Sequence, residues 1–128
     1  MMKLEHLACY VRDLEAMKAF YMKYFNANPN EKYHNPRTGL MTYFLTFEDG
    51  ARLEIMSRPD MQNVERTLMQ SGFIHIAFKL GSKEKVDQMF ERLRQDGFIV
   101  LSGPRTTGDG YYELAFLDPE NNQIELVA

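Results

Sequence analysis

Large apolar and polar residues alternate in two short stretches of the chain, one near its start and one near its middle. In the stretch from Ser71 to Leu80, SGFIHIAFKL, every second position carries a large apolar side chain and His75 falls on the opposite face. In the stretch that starts at Leu4, LEHLACYV, His6 holds the same place in the alternation. The pattern predicts two half-buried strands, each with a histidine directed away from the core.

Helical spacing follows each of these strands. After the first, apolar residues recur at helical intervals behind Asp13, a favourable N-cap, until Asn28 and Pro29 interrupt the pattern. After the second, Ser82 is the predicted N-cap and Gly97 the stop. The remaining predicted elements are a polar loop over residues 30–40, a hairpin formed by residues 41–47 and 51–57, and strands in residues 98–102, 111–117 and 123–127.

The second half of the chain repeats the first. A shift of 69 positions pairs His6 with His75, and two additional residues in the last turn then pair Glu54 with Glu125. Each glutamate stands between two apolar neighbours in its strand, so each points to the face opposite the core side chains. The sequence therefore predicts an α+β fold built by internal duplication of a β-α-β-β-β unit.

Composition excludes several classes of partner. The formal net charge is -3 with a pI near 5.6, and no cluster of Lys and Arg offsets it, so neither nucleic acid nor an anionic membrane surface is an expected partner. No apolar run approaches the ~20 residues that span a bilayer, and the N-terminal segment lacks the apolar part of a signal peptide, so we expect a cytoplasmic protein. Cys9 is the only cysteine, which excludes an internal disulfide. It lies on the apolar face of the first predicted strand, so we expect it to be a core residue.

Four polar residues stand at equivalent points of the duplication: His6 and His75 on the first strands, Glu54 and Glu125 on the last strands. If the first and last strands of a unit are neighbours, a histidine and a glutamate directly opposite each other have Cβ atoms about 5 Å apart. Imidazole and carboxylate ligands without thiolate suit a divalent metal such as Ni, Zn, Co, Mn or Fe. We therefore predict that two such pairs form a His2Glu2 site, with a solvated sheet face as the alternative.

The same segments resemble the vicinal oxygen chelate superfamily and, within it, the glyoxalase I-like branch. The resemblance spans almost the whole chain and rests on the opening HLACYVRDLEAMKAFY, on DGARLEIM and GFIHIAF, and on the closing FLDPENNQIELV. It implies one domain over residues 1–128, in which module one (1–57), a connector (58–71) and module two (72–128) form a curved, barrel-like mixed sheet.

The resemblance also implies an activity. The metal ligands of glyoxalase I-like members fall, in their order, on His6, Glu54, His75 and Glu125. It implies a lactoylglutathione lyase-like lyase or isomerase in which the metal is a Lewis acid on vicinal oxygens, an enediolate forms, and Glu125 or Glu54 moves the proton. Members often build each site from the first module of one chain and the second of its partner, so we expect a homodimer.

Other activities of the superfamily stay open. Methylmalonyl-CoA epimerase-like members carry Gln where this chain has Glu54, and extradiol dioxygenase-like members use two His and one Glu on ferrous iron. A drug-sequestering protein of the bleomycin-resistance kind binds a small molecule without a metal. All three leave the Glu54 carboxylate of this chain unexplained as a ligand.

The residues that would contact a substrate differ from those of glutathione-using members. Such members carry an Arg four residues after the first His and an Asn four residues after the first Glu, where this chain has Tyr10 and Arg58. This departure argues against glutathione as a cosubstrate. Candidates for binding a small-molecule substrate are Tyr10, Arg37, Arg58 and Arg105.

Overall fold

The computed structural model describes all 128 residues, and the chain divides into two compact units, Met1–Val64 and Glu65–Ala128. The first unit contains β1 (His6–Tyr10), α1 (Leu14–Phe25), β2 (Asn28–Pro29), β3 (Tyr33–His34), β4 (Met41–Thr46) and β5 (Arg52–Ser57). The second contains β6 (His75–Lys79), α2 (Lys83–Gln95), β7 (Val100–Thr106), β8 (Tyr112–Leu117) and β9 (Gln123–Val127). Neither helix has the length and apolar character needed to cross a bilayer.

Each unit has its own sheet. In the first unit the strand order is β1-β5-β4-β2, with β3 also paired to β4, and in the second it is β6-β9-β8-β7. The first and last strands of a unit are parallel neighbours, and the other pairs are antiparallel. The α+β fold with two β-α-β-β-β units is confirmed. The strands form two separate hydrogen-bonded sheets and not a closed barrel.

One face of the first sheet is covered by α1. The helix begins behind Asp13, whose side chain accepts a hydrogen bond from the backbone N–H of Ala16 at 3.0 Å. Its apolar side packs on β4 and β5, where Leu45 and Ile55 are fully buried. The helix ends at Phe25, earlier than the predicted stop, because the next residue adopts the left-handed conformation of a C-cap.

The second unit is built in the same way. Ser82 caps α2 through a hydrogen bond from the backbone N–H of Lys85, and Val86 and Leu93 are the buried residues of that helix. In each unit the hydroxyl of a tyrosine in the sheet donates a hydrogen bond to an acidic side chain of the helix. Tyr43 donates to Glu15 at 2.8 Å, and Tyr112 donates to Asp87 at 2.5 Å. These hydrogen bonds lie on the helix-covered face of each sheet, and the candidate site residues lie on the opposite face.

Some predicted boundaries were wrong. The first strand begins at His6 and not at Leu4, and the strand predicted from residue 73 begins at His75. The polar loop over residues 30–40 contains the two-residue strand β3. Short alternating segments cannot fix their own ends, because a strand ends where its neighbour stops offering backbone partners, and that neighbour is set by tertiary pairing.

Candidate metal centre

The candidate metal ligands lie on the sheet face that no helix covers. Along β1 and β6 the apolar residues point towards the core and the histidines point away from it, as the alternation predicts. Along β5 and β9 the same applies to Glu54 and Glu125, which keep only 16% and 19% of their side-chain surface exposed. Each unit therefore presents one imidazole and one carboxylate on a single face.

The register of the parallel strands differs from the prediction that each His faces its Glu directly. Ala8 lies opposite Glu54 and Ala77 lies opposite Glu125, so each histidine is offset from its glutamate by two residues. The side chains nevertheless converge across the strands. The distance from Nε2 of His6 to Oε1 of Glu54 is 3.9 Å, and that from Nε2 of His75 to Oε2 of Glu125 is 3.6 Å.

Both separations are too long for a hydrogen bond. In each pair an imidazole nitrogen and a carboxylate oxygen converge without forming a hydrogen bond to each other. Nitrogen and oxygen ligands of this kind suit a borderline divalent ion, and each pair would supply half of such a site. No group of three or more His, Cys, Asp or Glu side chains forms a ligand cluster. Each pair alone falls short of the four ligands or more that such ions take.

Three residues surround His6 that the sequence did not single out. Glu5 accepts a hydrogen bond from Nδ1 of His6 and also pairs with Nη2 of Arg52. The bond from His6 and the neighbouring Arg52 guanidinium lower the pKa of the Glu5 carboxyl. The ring of Phe44 stands edge-on to His6, with centroids 5.3 Å apart, and lies opposite Glu54 in the sheet.

The second unit has a different environment. Ala115, a small residue, lies opposite Glu125, and Glu113 lies beside it on the same face. Burial raises the pKa of the Glu113 carboxyl, and the neighbouring Glu125 raises it further, while Arg105 acts in the opposite direction. Strand alternation alone places Glu113 on the face of Glu125, so this signal was present in the sequence.

The four candidate substrate residues lie at different places. Tyr10 ends β1 and is half exposed, and its hydroxyl contacts the side chain of Arg58, which follows β5. The Arg58 guanidinium is chiefly held by Asp60, and these two contacts raise its pKa. Arg37 lies in the exposed turn between β3 and β4. Arg105 belongs to β7 and lies opposite Glu113.

A β-bulge explains the position of Arg105. The pairing of β7 with β8 shifts its register between Ser102 and Arg105, which inserts one additional residue on the β7 side. Such a bulge re-aims the side chains that follow it. It places the Arg105 guanidinium next to the carboxylates of the second unit.

Comparison with known proteins gives a consistent result. Residues 3–126 match the family model described as Glyoxalase/Bleomycin resistance protein/Dioxygenase superfamily. The chain is similar to the uncharacterized protein YqjT of Bacillus subtilis, with 29% identity over 98% of both chains. It is also similar to the metallothiol transferase FosB of Lysinibacillus sphaericus, with 28% identity over 95% of this chain and 79% of that protein.

The same fold occurs in a solved structure with a metal. The fosfomycin resistance protein FosX from Listeria monocytogenes, complexed with Mn(II) and sulfate, superposes with a TM-score of 0.73. The sequence identity is 24%, and the match covers all of this chain and 93% of FosX. At this identity the likeness concerns the fold.

Proposed function

Because the chain belongs to the glyoxalase/bleomycin resistance protein/dioxygenase superfamily, we propose that it is a metal-dependent enzyme of the glyoxalase I-like kind. Its ligands are His6, Glu54, His75 and Glu125, which bind one divalent ion such as Ni, Zn, Co, Mn or Fe. The single observation that supports this proposal is the duplicated pair, in which each unit brings one imidazole and one carboxylate within 4 Å on its open face.

The proposed reaction is a proton transfer at a carbon atom next to two vicinal oxygens of a small substrate. When bound, a divalent ion supplies the Lewis acid that makes such a carbon acidic. A glutamate carboxylate removes the proton and returns it to a neighbouring atom. We assign this role to Glu125, whose carboxylate lies on the open face of the second unit, 3.6 Å from Nε2 of His75. Glu54 is the alternative base.

Metal binding is the experiment that tests the ligand set. We expect about one divalent ion per chain by elemental analysis, and titration of the stripped protein should show the same stoichiometry. His6→Ala and His75→Ala should each weaken binding by more than the ~10- to 100-fold that follows loss of a residue supporting a ligand. His34→Ala is the matched control, because His34 is an exposed residue of β3 outside both pairs. Equal affinity in His75→Ala and the parent protein would refute the assignment.

Subunit exchange tests whether the site is shared in a homodimer. If each site takes its first pair from one chain and its second from the partner, equal amounts of His6→Ala and His75→Ala chains should recover roughly a quarter of the sites. Each mixed dimer then contains one intact site and one doubly defective site. A site formed within one chain would show no recovery after exchange.

The assignment of the base has its own test. Glu125→Gln should bind the metal more weakly and should no longer catalyse hydrogen–deuterium exchange at the substrate carbon. This exchange is measured by NMR with a panel of small α-hydroxycarbonyl compounds. Glu54→Gln is the matched variant in the other unit. If Glu54→Gln alone abolishes exchange, Glu54 is the base.

A second candidate function is modification of fosfomycin, which the similarity to the fosfomycin resistance protein FosX and to the metallothiol transferase FosB favours. The discriminating measurement is phosphorus NMR of fosfomycin incubated with metal-loaded protein, with and without an added thiol. Turnover of fosfomycin together with inactivity on the α-hydroxycarbonyl panel would replace the first proposal by the second.

A further inference from the structure

Arg52 lies in the first unit beside the proposed metal ligands. It precedes Glu54 by two residues on β5, so both side chains leave the same face of the strand, and it lies opposite His6 in the parallel pairing. Two residues of a strand span about 6.5 to 7 Å. The guanidinium also stacks on Phe44, whose ring centroid is 5.3 Å from that of His6, so it is held next to the His6–Glu54 pair.

The contacts of the Arg52 side chain fix its position but do not use all of its N–H donors. Its guanidinium lies 4.0 Å from the centroid of the Phe44 ring, a stacking contact that orients the planar group. The ion pair with Glu5 engages Nη2, and the guanidinium carries further N–H donors on Nη1 and Nε. About a third of the side chain is exposed, and so is most of Glu5. An incoming anion can therefore take the place of the Glu5 carboxylate.

The second unit has no equivalent of this arrangement. The residue opposite His75 is Gln123, and the nearby face carries the carboxylates Glu113 and Glu125. The second unit has a guanidinium of its own, Arg105, but it lies on β7 opposite Glu113 and not on the strand opposite the histidine. The duplication therefore does not repeat the placement of an arginine opposite the histidine.

We propose that Arg52 is a specificity-determining residue that binds an oxyanion of the substrate, so that the substrate class is small vicinal-oxygen compounds carrying a phosphate, phosphonate or carboxylate. This inference rests on the proposed function, since it takes the His6–Glu54 pair as the place of the reacting oxygens. A planar guanidinium offers such a group two parallel hydrogen bonds.

Two pairs of probe molecules test the proposal. Dihydroxyacetone phosphate and dihydroxyacetone differ by a phosphate, and malate and lactate differ by a second carboxylate. Calorimetric titration of metal-loaded and metal-stripped protein should show, in one pair, at least about tenfold tighter binding of the member with the additional anionic group, the gain expected from a charge-assisted contact. The pair that shows the preference identifies the oxyanion.

The variants separate Arg52 from the general charge of the protein. Arg52→Gln should reduce the preference to about one, and Arg52→Lys should retain part of it. Glu5→Gln should increase it, because the competing carboxylate is removed. Lys23→Gln is the matched control, since this exposed lysine lies on α1, on the other side of the sheet.

Several outcomes would overturn the inference. They are an unchanged preference in Arg52→Gln, weaker oxyanion binding in Glu5→Gln, or equal binding of the two members of each pair by the parent protein. Metal titration of the same variants keeps the two proposals distinct. Arg52→Gln with normal metal affinity and an unchanged preference refutes the role of Arg52 alone, whereas a parent protein that binds no metal refutes the proposed function.

Discussion

Replacement of Gly103 by alanine should destabilise the second unit more than any other glycine-to-alanine change in that unit. Gly103 has φ +85°, and a Cβ added there would lie closer than 3.0 Å to the backbone oxygen of Glu113 and 3.2 Å from Cα of Leu114. The positive φ costs about 1 to 2 kcal/mol for an L-residue with a side chain. Relief of the clash requires β7 to move away from β8, which breaks one or two ladder hydrogen bonds at about 1 to 1.5 kcal/mol each. We expect a total loss of about 2 to 5 kcal/mol.

Two other glycines provide the scale for this loss. Gly81 has φ +96° with no neighbour within 4 Å, so Gly81→Ala should show the conformational cost alone, about 1 to 2 kcal/mol. Gly108 has neither feature, and Gly108→Ala should be close to neutral. Urea unfolding gives the three free energies, and calorimetry should show Gly103→Ala melting about 10 °C or more below the parent. If Gly103→Ala costs no more than Gly81→Ala, the close approach of β7 to β8 is wrong.

Two further predictions concern carboxylates. The pKa of Glu15 is lowered to about 2 by the ion pair with Lys32, the hydrogen bond from Tyr43 and the nearby Lys18. The contribution of Glu15 to the free energy of unfolding is therefore complete above pH 4.5 and disappears as the pH falls towards 2. Glu15→Gln should flatten the pH dependence of the free energy of unfolding in urea across that window, and an unchanged pH slope would contradict this. Burial, then Glu125, raises the pKa of Glu113, so ionised Glu113 destabilises the folded state above that pKa. Glu113→Gln should raise the melting temperature of metal-free protein at neutral pH, with a gain that vanishes as the pH falls through 4.5, and a gain that persists at low pH would contradict the ionic origin.

The sequence predicted the elements of the fold because their signals are local and occur twice. The alternation around His6 and His75 and the caps Asp13 and Ser82 each act within a few residues. Strand register is different, because the first strand of each unit pairs with the last, and the helix and the other strands of the unit lie between them in the chain. The offset of two residues between each His and its Glu therefore had no signal in the sequence.

The surroundings of the candidate ligands could be predicted from the sequence only in part. Arg52 stands two residues before Glu54, and alternation alone would have placed it on the same face, but its stacking on Phe44 depends on the pairing of β4 with β5. The position of Arg105 opposite Glu113 depends on a bulge, and a bulge adds residues to one strand only. Features of this kind arise from pairs of strands and become visible only when both are placed.

The contacts of Arg58 give a physical reason, beyond the substitution at Tyr10, to expect poor use of glutathione. A site that binds glutathione productively needs partners for two carboxylates, and a free guanidinium is the strongest of these. Arg58 lies close to Tyr10, but Asp60 occupies its guanidinium at Nε and Nη2, with 3.0 Å between Nη2 and Oδ2. A substrate carboxylate must therefore displace Asp60 before it can bind.

We accordingly expect the glutathione hemithioacetal of methylglyoxal to be a poor substrate of the metal-loaded protein. Loss of one charge-assisted contact costs about 1.5 to 3 kcal/mol, or about ten- to a hundredfold in kcat/KM. Asp60→Asn should recover part of this loss by releasing Arg58, whereas Asp49→Asn, in the exposed β4–β5 turn, is the control for the change of charge. The assay compares the hemithioacetal with small α-hydroxycarbonyl compounds. A kcat/KM near 10⁶ M⁻¹s⁻¹ for the hemithioacetal lies well within the range of efficient enzymes, and it would show that Tyr10 and Arg58 provide what glutathione requires.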